Sequence, residues 1–163
     1  MKKRWIGAAT GRNLCWLAVF CVISFWVLPV DAQTYQGADG QIIVKDDPGG
    51  NLADRLRVLQ RLKQSRQPVE IRGKYCMSAC TMYLGLPNTC ISRKTTFGFH
   101  GPRSAIYGVG LTPAEFQKWS NIMADQYPEP LRKWYLRTGR SITMGFYEIS
   151  GKRLIELGIA ECL

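Results

Sequence analysis

Ser78 and His100 are the residues of this chain whose types and order could carry acyl-transfer chemistry. Ser78 sits at the centre of Cys76-Met-Ser-Ala-Cys80, and His100, the single histidine, ends the run Phe97-Gly-Phe-His100. A serine hydroxyl is a weak nucleophile until a base takes its proton, and the tetrahedral intermediate then needs hydrogen-bond donors for its oxyanion. His100 could act as that base. Backbone N–H groups near Gly50, in the turn Pro48-Gly49-Gly50, and at Ala79 could act as the donors. Each feature also has an ordinary reading: a serine can simply cap a helix, a lone histidine can sit on a surface, and Gly-Gly can be only a turn. Together they describe a reaction class and name no substrate.

These residues need a scaffold to bring them together. Residues 33–40 are polar with two glycines and read as a loose start, and 41–44 read as a short strand buried on both faces. Asp46-Asp47-Pro48-Gly49-Gly50 breaks that strand. Asn51 can cap a helix in which Leu52, Leu56, Leu59 and Leu62 recur at helical spacing, with Arg55, Arg57, Arg61 and Lys63 at the wetter positions. That helix should end near Arg66, before Pro68. Residues 69–71 read as the next strand, parallel to the first through a right-handed crossover. Residues 79–84 read as a buried helix stopped by Gly85 and Pro87, with Ser78 at its positive N-terminal end, where a developing negative charge is favoured. Residues 95–99 form a further strand that delivers His100, and 101–111 make a glycine-containing loop able to cover the site. Thr112-Pro113-Ala114-Glu115 is a capping box opening a helix over about 113–127. Further helices are expected over about 130–138 and 150–157, with 141–147 extended.

Residues 1–32 have the three parts of a secretory signal: basic Lys2, Lys3, Arg4 and Arg12, an apolar run over 14–28, and Val30-Asp31-Ala32 before a cut at Gln33. The apolar run is short for a spanning helix, which wants about 20 residues. An uncleaved anchor is the alternative, since Trp26 and the basic flank suit an interface. The expectation is an exported protein, periplasmic or secreted, membrane-anchored if the leader is retained, with one domain over 33–163. The leader takes four of the 22 basic residues and one of the 12 acidic ones, leaving 18 against 11 and a balance of +7. The basic residues are scattered, and no nucleic-acid motif accompanies them, so nucleic acid is not an expected partner. Cys15 and Cys21 leave with the leader. Cys76, Cys80, Cys90 and Cys162 remain and allow three pairings. Cys76 and Cys80 are read as bridged or both packed near the serine, and Cys90 as tied to Cys162. One histidine and no paired Cys-x-x-Cys make a poor metal-ligand set.

Pro48-Gly49-Gly50 after an apolar strand, Ser78 in a small-residue turn, Arg93 in the following loop and Phe97-Gly-Phe-His100 resemble the proteolytic subunit of the Clp protease. They resemble still more its exported, uncharacterised relatives, which carry a Cys-x-Ser-Ala-Cys turn and a Gly-Phe-His strand end. Gly158-Ile-Ala-Glu161 is similar to the Gly-Leu-hydrophobic-Asp ending of the Clp and crotonase folds. The resemblance covers about 41–161 as a pattern and is specific between Pro48 and Gly101. It implies an α/β fold of Clp/crotonase type, with repeated strand-helix units and a mostly parallel sheet in a single domain. It also implies a serine hydrolase, most plausibly a peptidase, acting without a cofactor on peptide or protein. Ser78 would be the nucleophile, His100 the general base, and Gly50 with Ala79 the oxyanion donors. The family usually places an aspartate shortly before the final helix, where Thr143 falls in this chain. Glu148 is the candidate substitute, with Asp125 and Glu129 as others. The insert after His100 is short and lacks the long handle helix by which Clp subunits build rings, so a homo-oligomer stays open and a ring is not implied. A catalytically inactive Clp-like protein binding a peptide or partner in the cell envelope is the competing reading, and thiol chemistry at Cys76 and Cys80 a third.

Overall fold

The chain interrupts its β-structure at Asp47–Gly50 and again at Ser78, and these two breaks lie side by side where two sheets meet. The computed structural model describes residues 33–104, 106 and 108–163; the leader, with Cys15 and Cys21, lies outside them. The first sheet has the order β1 (Gln33–Gln36), β2 (Ile42–Lys45), β3 (Val69–Ile71) and β5 (Thr89–Ile91). The second has the order β4 (Tyr75–Met77), β6 (Thr96–Phe99) and β7 (Tyr147–Ser150). The β2–β3, β3–β5 and β4–β6 pairs are parallel, whereas β1–β2 and β6–β7 are antiparallel. The architecture is therefore mixed α/β with two mixed sheets, in place of the mostly parallel sheet expected.

The antiparallel edges explain the difference. Residues 33–36 carry no apolar alternation, yet the turn at Gly37–Gly40 folds them back on β2, pairing Gln33 with Lys45 and Gln36 with Ile42. At an edge the main-chain ladder suffices, so the side chains can stay exposed. β4 and β5, each three residues long, were too short to leave a period in the sequence. The strand–helix–strand unit is present as expected, with Ile42, Ile43 and Val44 opposite Val69, Glu70 and Ile71.

Its helix, α1 (Leu52–Ser65), starts where the Asn51 side chain accepts the N–H groups of Ala53 and Asp54, and stops where Arg66 turns left-handed at φ 53°. Leu59 and Leu62 face the core, joined by Val44, Val69, Ile71, Met82, Tyr83, Ile91, Phe97 and Phe99. Arg55 departs from the expected wet face: it is buried, with 8% of its surface exposed.

After β4 the chain enters a 3-10 helix, Ser78–Gly85, in place of an α-helix. Ala79 to Leu84 are all buried, so this segment has no solvent face to impose an amphipathic period. The disulfide Cys76–Cys80 ties its first turn to β4. A second disulfide, Cys90–Cys162, ties β5 to the C-terminus beside the Ile91–Glu161 bridge. There Arg93 grips Glu161 with two bonds of 2.6 Å, so two residues that carried the resemblance meet each other. The expected capping box holds: Thr112 Oγ1 accepts Glu115 N–H, and Glu115 accepts Thr112 N–H, opening α2 (Pro113–Ala124). The last helices are α3 (Glu129–Arg137) and α4 (Gly151–Glu156). Among the described residues no helix is long and apolar enough to cross a membrane.

Candidate active site

Ser78 begins where β4 ends. Met77 is still extended, but Ser78 adopts φ 56°, a left-handed conformation that costs a non-glycine residue on the order of 1–3 kcal/mol. The Cys76–Cys80 disulfide encloses Met77, Ser78 and Ala79 and so over-determines that turn. His100 follows β6 directly. Its carbonyl accepts the Tyr135 hydroxyl at 3.1 Å, and the edge of its ring meets Phe146 with centroids 5.2 Å apart. β4 and β6 are adjacent parallel strands, so the two residues leave neighbouring strand ends in the same direction.

The result is a hydrogen bond of 2.7 Å between Ser78 Oγ and His100 Nε2. The other ring nitrogen, Nδ1, bonds the carbonyl of Gly101. A carbonyl can only accept, so Nδ1 carries the proton and Nε2 presents its lone pair to the serine. That is the tautomer a general base requires. Burial lowers the His100 pKa below the ordinary 6.5, the nearby Arg103 charge adds to the lowering, and the Gly101 carbonyl opposes it. At neutral pH the imidazole is therefore uncharged.

Gly50 and Ala79 line the same cleft of about 590 Å³ as Ser78 and His100. Ala79 is the second residue of the 3-10 helix, a position whose N–H has no partner within the helix. Among the described residues the Gly50 N–H likewise donates to no protein acceptor. Gly49 and Gly50 have φ of 106° and 116°, a region that side chains rarely tolerate. A Cβ on Gly49 would stand 2.5 Å from the Cβ of Ser78, so this turn lies directly against Ser78.

Beneath the turn lies a charged cluster that sequence reasoning missed. The carboxylate of Asp47, fully buried, accepts Gly49 N–H at 2.8 Å and Arg55 Nη2 at 2.6 Å. The same Nη2 donates to the Gly49 carbonyl at 3.1 Å, and Nη1 donates to the Tyr83 hydroxyl, with the guanidinium 4.6 Å from that ring's centroid. Burial pushes the Tyr83 phenol up, so it stays neutral and keeps a lone pair for Arg55. Two acids just ahead of a Pro-Gly-Gly turn and an arginine one turn into the next helix were the available signal, but helical spacing assigned Arg55 to solvent.

The orienting acid is where expectation and structure part. Glu148 is exposed on β7, opposite Gly98, and lines a different cavity of about 770 Å³ between α3, β7 and α4 that contains neither Ser78 nor His100. Asp125 and Glu129 are paired with Arg132, at 2.9 Å and 3.4 Å. No carboxylate hydrogen-bonds His100 among the described residues, and the Gly101 carbonyl occupies that position. Thr143 follows Ile142, whose carbonyl accepts Gly101 N–H at 2.9 Å, so the segment where the acid was sought does run past the histidine.

The Ser-His pair thus stands on adjacent strand ends within a mixed α/β fold. No protein-family model matches the sequence, and no curated protein matches it. Among solved structures, the fold is similar to that of the 1510-N membrane-bound stomatin-specific protease, seen as a mutant in complex with a substrate peptide. The TM-score is 0.52 at 21% sequence identity, over 73% of this chain and 58% of that one. A second mutant of the same protease gives a TM-score of 0.49 at 20% identity, over 73% and 61%. The chain thus spans less than two thirds of that protease, and the likeness is one of fold.

Proposed function

We propose that this protein is a serine hydrolase of the peptidase type, with Ser78 as nucleophile and His100 as general base. The observation that carries this reading is the 2.7 Å bond from Ser78 Oγ to a ring nitrogen whose lone pair is freed by the Gly101 carbonyl on the opposite nitrogen. Ser78 Oγ attacks the substrate carbonyl carbon while its proton passes to Nε2. The oxyanion accepts the N–H groups of Gly50 and Ala79. His100 then gives the proton to the leaving amine, and an ester to Ser78 remains. Water attacks that ester with His100 again as base, releasing the acid and restoring the serine. The peptide-bound structure of the similar fold supports a peptide substrate, and the two disulfides support export, since such bonds persist in oxidising compartments.

A fluorophosphonate probe tests the reading. Ser78 Oγ displaces fluoride from phosphorus, so the mature protein should be labelled covalently and Ser78→Ala should not. Absence of labelling on the folded wild type, or equal labelling of the variant, removes it. The second reading, an inactive peptide-binding module, is favoured by one observation: a neutral carbonyl stands where a carboxylate would steady the imidazolium. It is supported instead if a peptide binds with the same affinity to wild type and to the Ser78→Ala, His100→Ala double variant, with no labelling.

A further inference from the structure

We infer that the Asp47–Arg55 ion pair is a positioning device that aims the Gly50 N–H into the oxyanion site, an inference that rests on the hydrolase reading above. Gly49 and Gly50 share one peptide plane. In a trans peptide the carbonyl and the N–H point in opposite directions, and no cis peptide occurs among the described residues. Arg55 Nη2 holds the Gly49 carbonyl at 3.1 Å on the side of α1. The Gly50 N–H is thereby directed away from Arg55, and Gly50 itself lines the cleft that contains Ser78. The other end of Gly49 is held by Asp47, through its N–H at 2.8 Å.

Glycine on both sides of this peptide makes the restraint necessary. Glycines populate both signs of φ readily, so the Gly49–Gly50 unit can rotate at little cost. A rotated unit would present a carbonyl oxygen to the developing oxyanion, turning a donor into a repulsive partner. Arg55 opposes that rotation by keeping the carbonyl bonded. Its other arm reaches Tyr83, which belongs to the same 3-10 helix that Ser78 begins, so the oxyanion turn is referenced to the nucleophile's own element.

A purely stabilising role accounts for this less well. Buried ion pairs are poor sources of stability, because desolvation offsets much of their attraction, and an apolar pair of equal volume often serves as well. An apolar pair could not bond both the N–H and the carbonyl of Gly49.

Labelling with a fluorophosphonate, followed by intact mass for both rate and stoichiometry, separates the possibilities, because its tetrahedral phosphoryl oxygen occupies the oxyanion site. Arg55→Lys keeps the charge but replaces the planar fork, whose Nη2 bonds Asp47 and Gly49 while Nη1 reaches Tyr83, with a single nitrogen at one point. The expected result is full final stoichiometry reached about 10- to 100-fold more slowly than wild type, with the pH midpoint of labelling unchanged because His100 is untouched. A purely structural role would instead lower the stoichiometry and leave the rate of the folded fraction alone. A rate within twofold of wild type at full stoichiometry overturns the inference while the hydrolase reading stands. Should Arg55→Lys fail to fold, Tyr83→Phe keeps the ion pair and removes one anchor of Arg55. Slower labelling of Tyr83→Phe at full stoichiometry supports the inference, and an unchanged rate overturns it. An unlabelled wild type defeats the hydrolase reading itself, whatever the variants do.

Discussion

His100 stands 2.7 Å from Ser78 through Nε2 and bonds the carbonyl of Gly101, its own neighbour in the chain, through Nδ1. The orienting contact therefore arrives with the histidine and requires no distant loop. It selects the productive tautomer, which is the part of the acid's role whose loss is most damaging. It lacks the negative charge, so in the proposed reaction the imidazolium would be less well stabilised than beside a carboxylate.

The midpoint of the acid limb of labelling should lie below 6.5, because burial lowers the His100 pKa from that value and Nε2 gains its proton only at lower pH. Arg103→Ala removes a lowering charge, so the acid limb should move to higher pH. The rate profile from pH 4 to 8 checks both, and a limb that moves down in the variant would contradict the assignment. Stability follows the same sign. The unfolded chain binds the proton more readily, so the fold loses stability as pH falls below 6.5, and the loss is complete below the folded value.

Gly49→Ala and Gly50→Ala should part company. Both place a side chain at strongly positive φ, costing about 1–3 kcal/mol each. Only at Gly49 does the added carbon meet Ser78 and the Met77 carbonyl, at 2.5 Å and 2.8 Å; at Gly50 the space is open. Gly49→Ala should slow labelling by about 100-fold or more through displaced geometry. Urea unfolding alongside labelling rates distinguishes the strain from the clash.

Removing the two disulfides should have opposite signatures. Cys90–Cys162 spans 72 residues and Cys76–Cys80 only 4. Loop-closure entropy then predicts losses of about 4 and about 2 kcal/mol for the paired Cys→Ala variants. The shorter bridge encloses Ser78 and should cost more in labelling rate, while the longer one should leave the rate of folded protein near wild type.

Glu148→Gln should label at the wild-type rate, since Glu148 is exposed on β7 and outside the cleft of Ser78. A tenfold loss would restore it as a participant.

The Ser78–His100 pairing was legible in the sequence because each member sits at a sharp local break, where a strand ends in a small-residue turn or a glycine-containing loop. The caps of α1 and α2 were legible for a related reason: Asn51 and Thr112 satisfy donors within three residues of themselves. What stayed hidden depends on partners distant in the chain. The polar strand β1 is held by its ladder to β2, and Arg55 is drawn inside by Asp47 and by Tyr83, 28 residues away. Helical spacing reads one element at a time and assigns an arginine to water unless its partner is known. The third acid was sought by spacing to the last helix, whereas the contact that orients His100 is main-chain and leaves no mark on residue identity.

Asp47 also joins the strands themselves: its N–H bonds the Tyr75 carbonyl and its carbonyl accepts Met77 N–H, at 3.2 Å and 2.8 Å, forming the bridge to Cys76. Two residues on from that bridge lie Gly49 on one side and Ser78 on the other. The ladder acts as a ruler between the Gly49–Gly50 turn and Ser78, and its smallest division is one strand rise of about 3.3 Å. An inserted or deleted residue between Asp47 and Gly49, or between Cys76 and Ser78, would misset the site by a full division. The loop over 101–111 has no such scale and can change length. Variation among relatives of this chain should therefore collect in that loop, while the two short spans keep constant length even where their residues change.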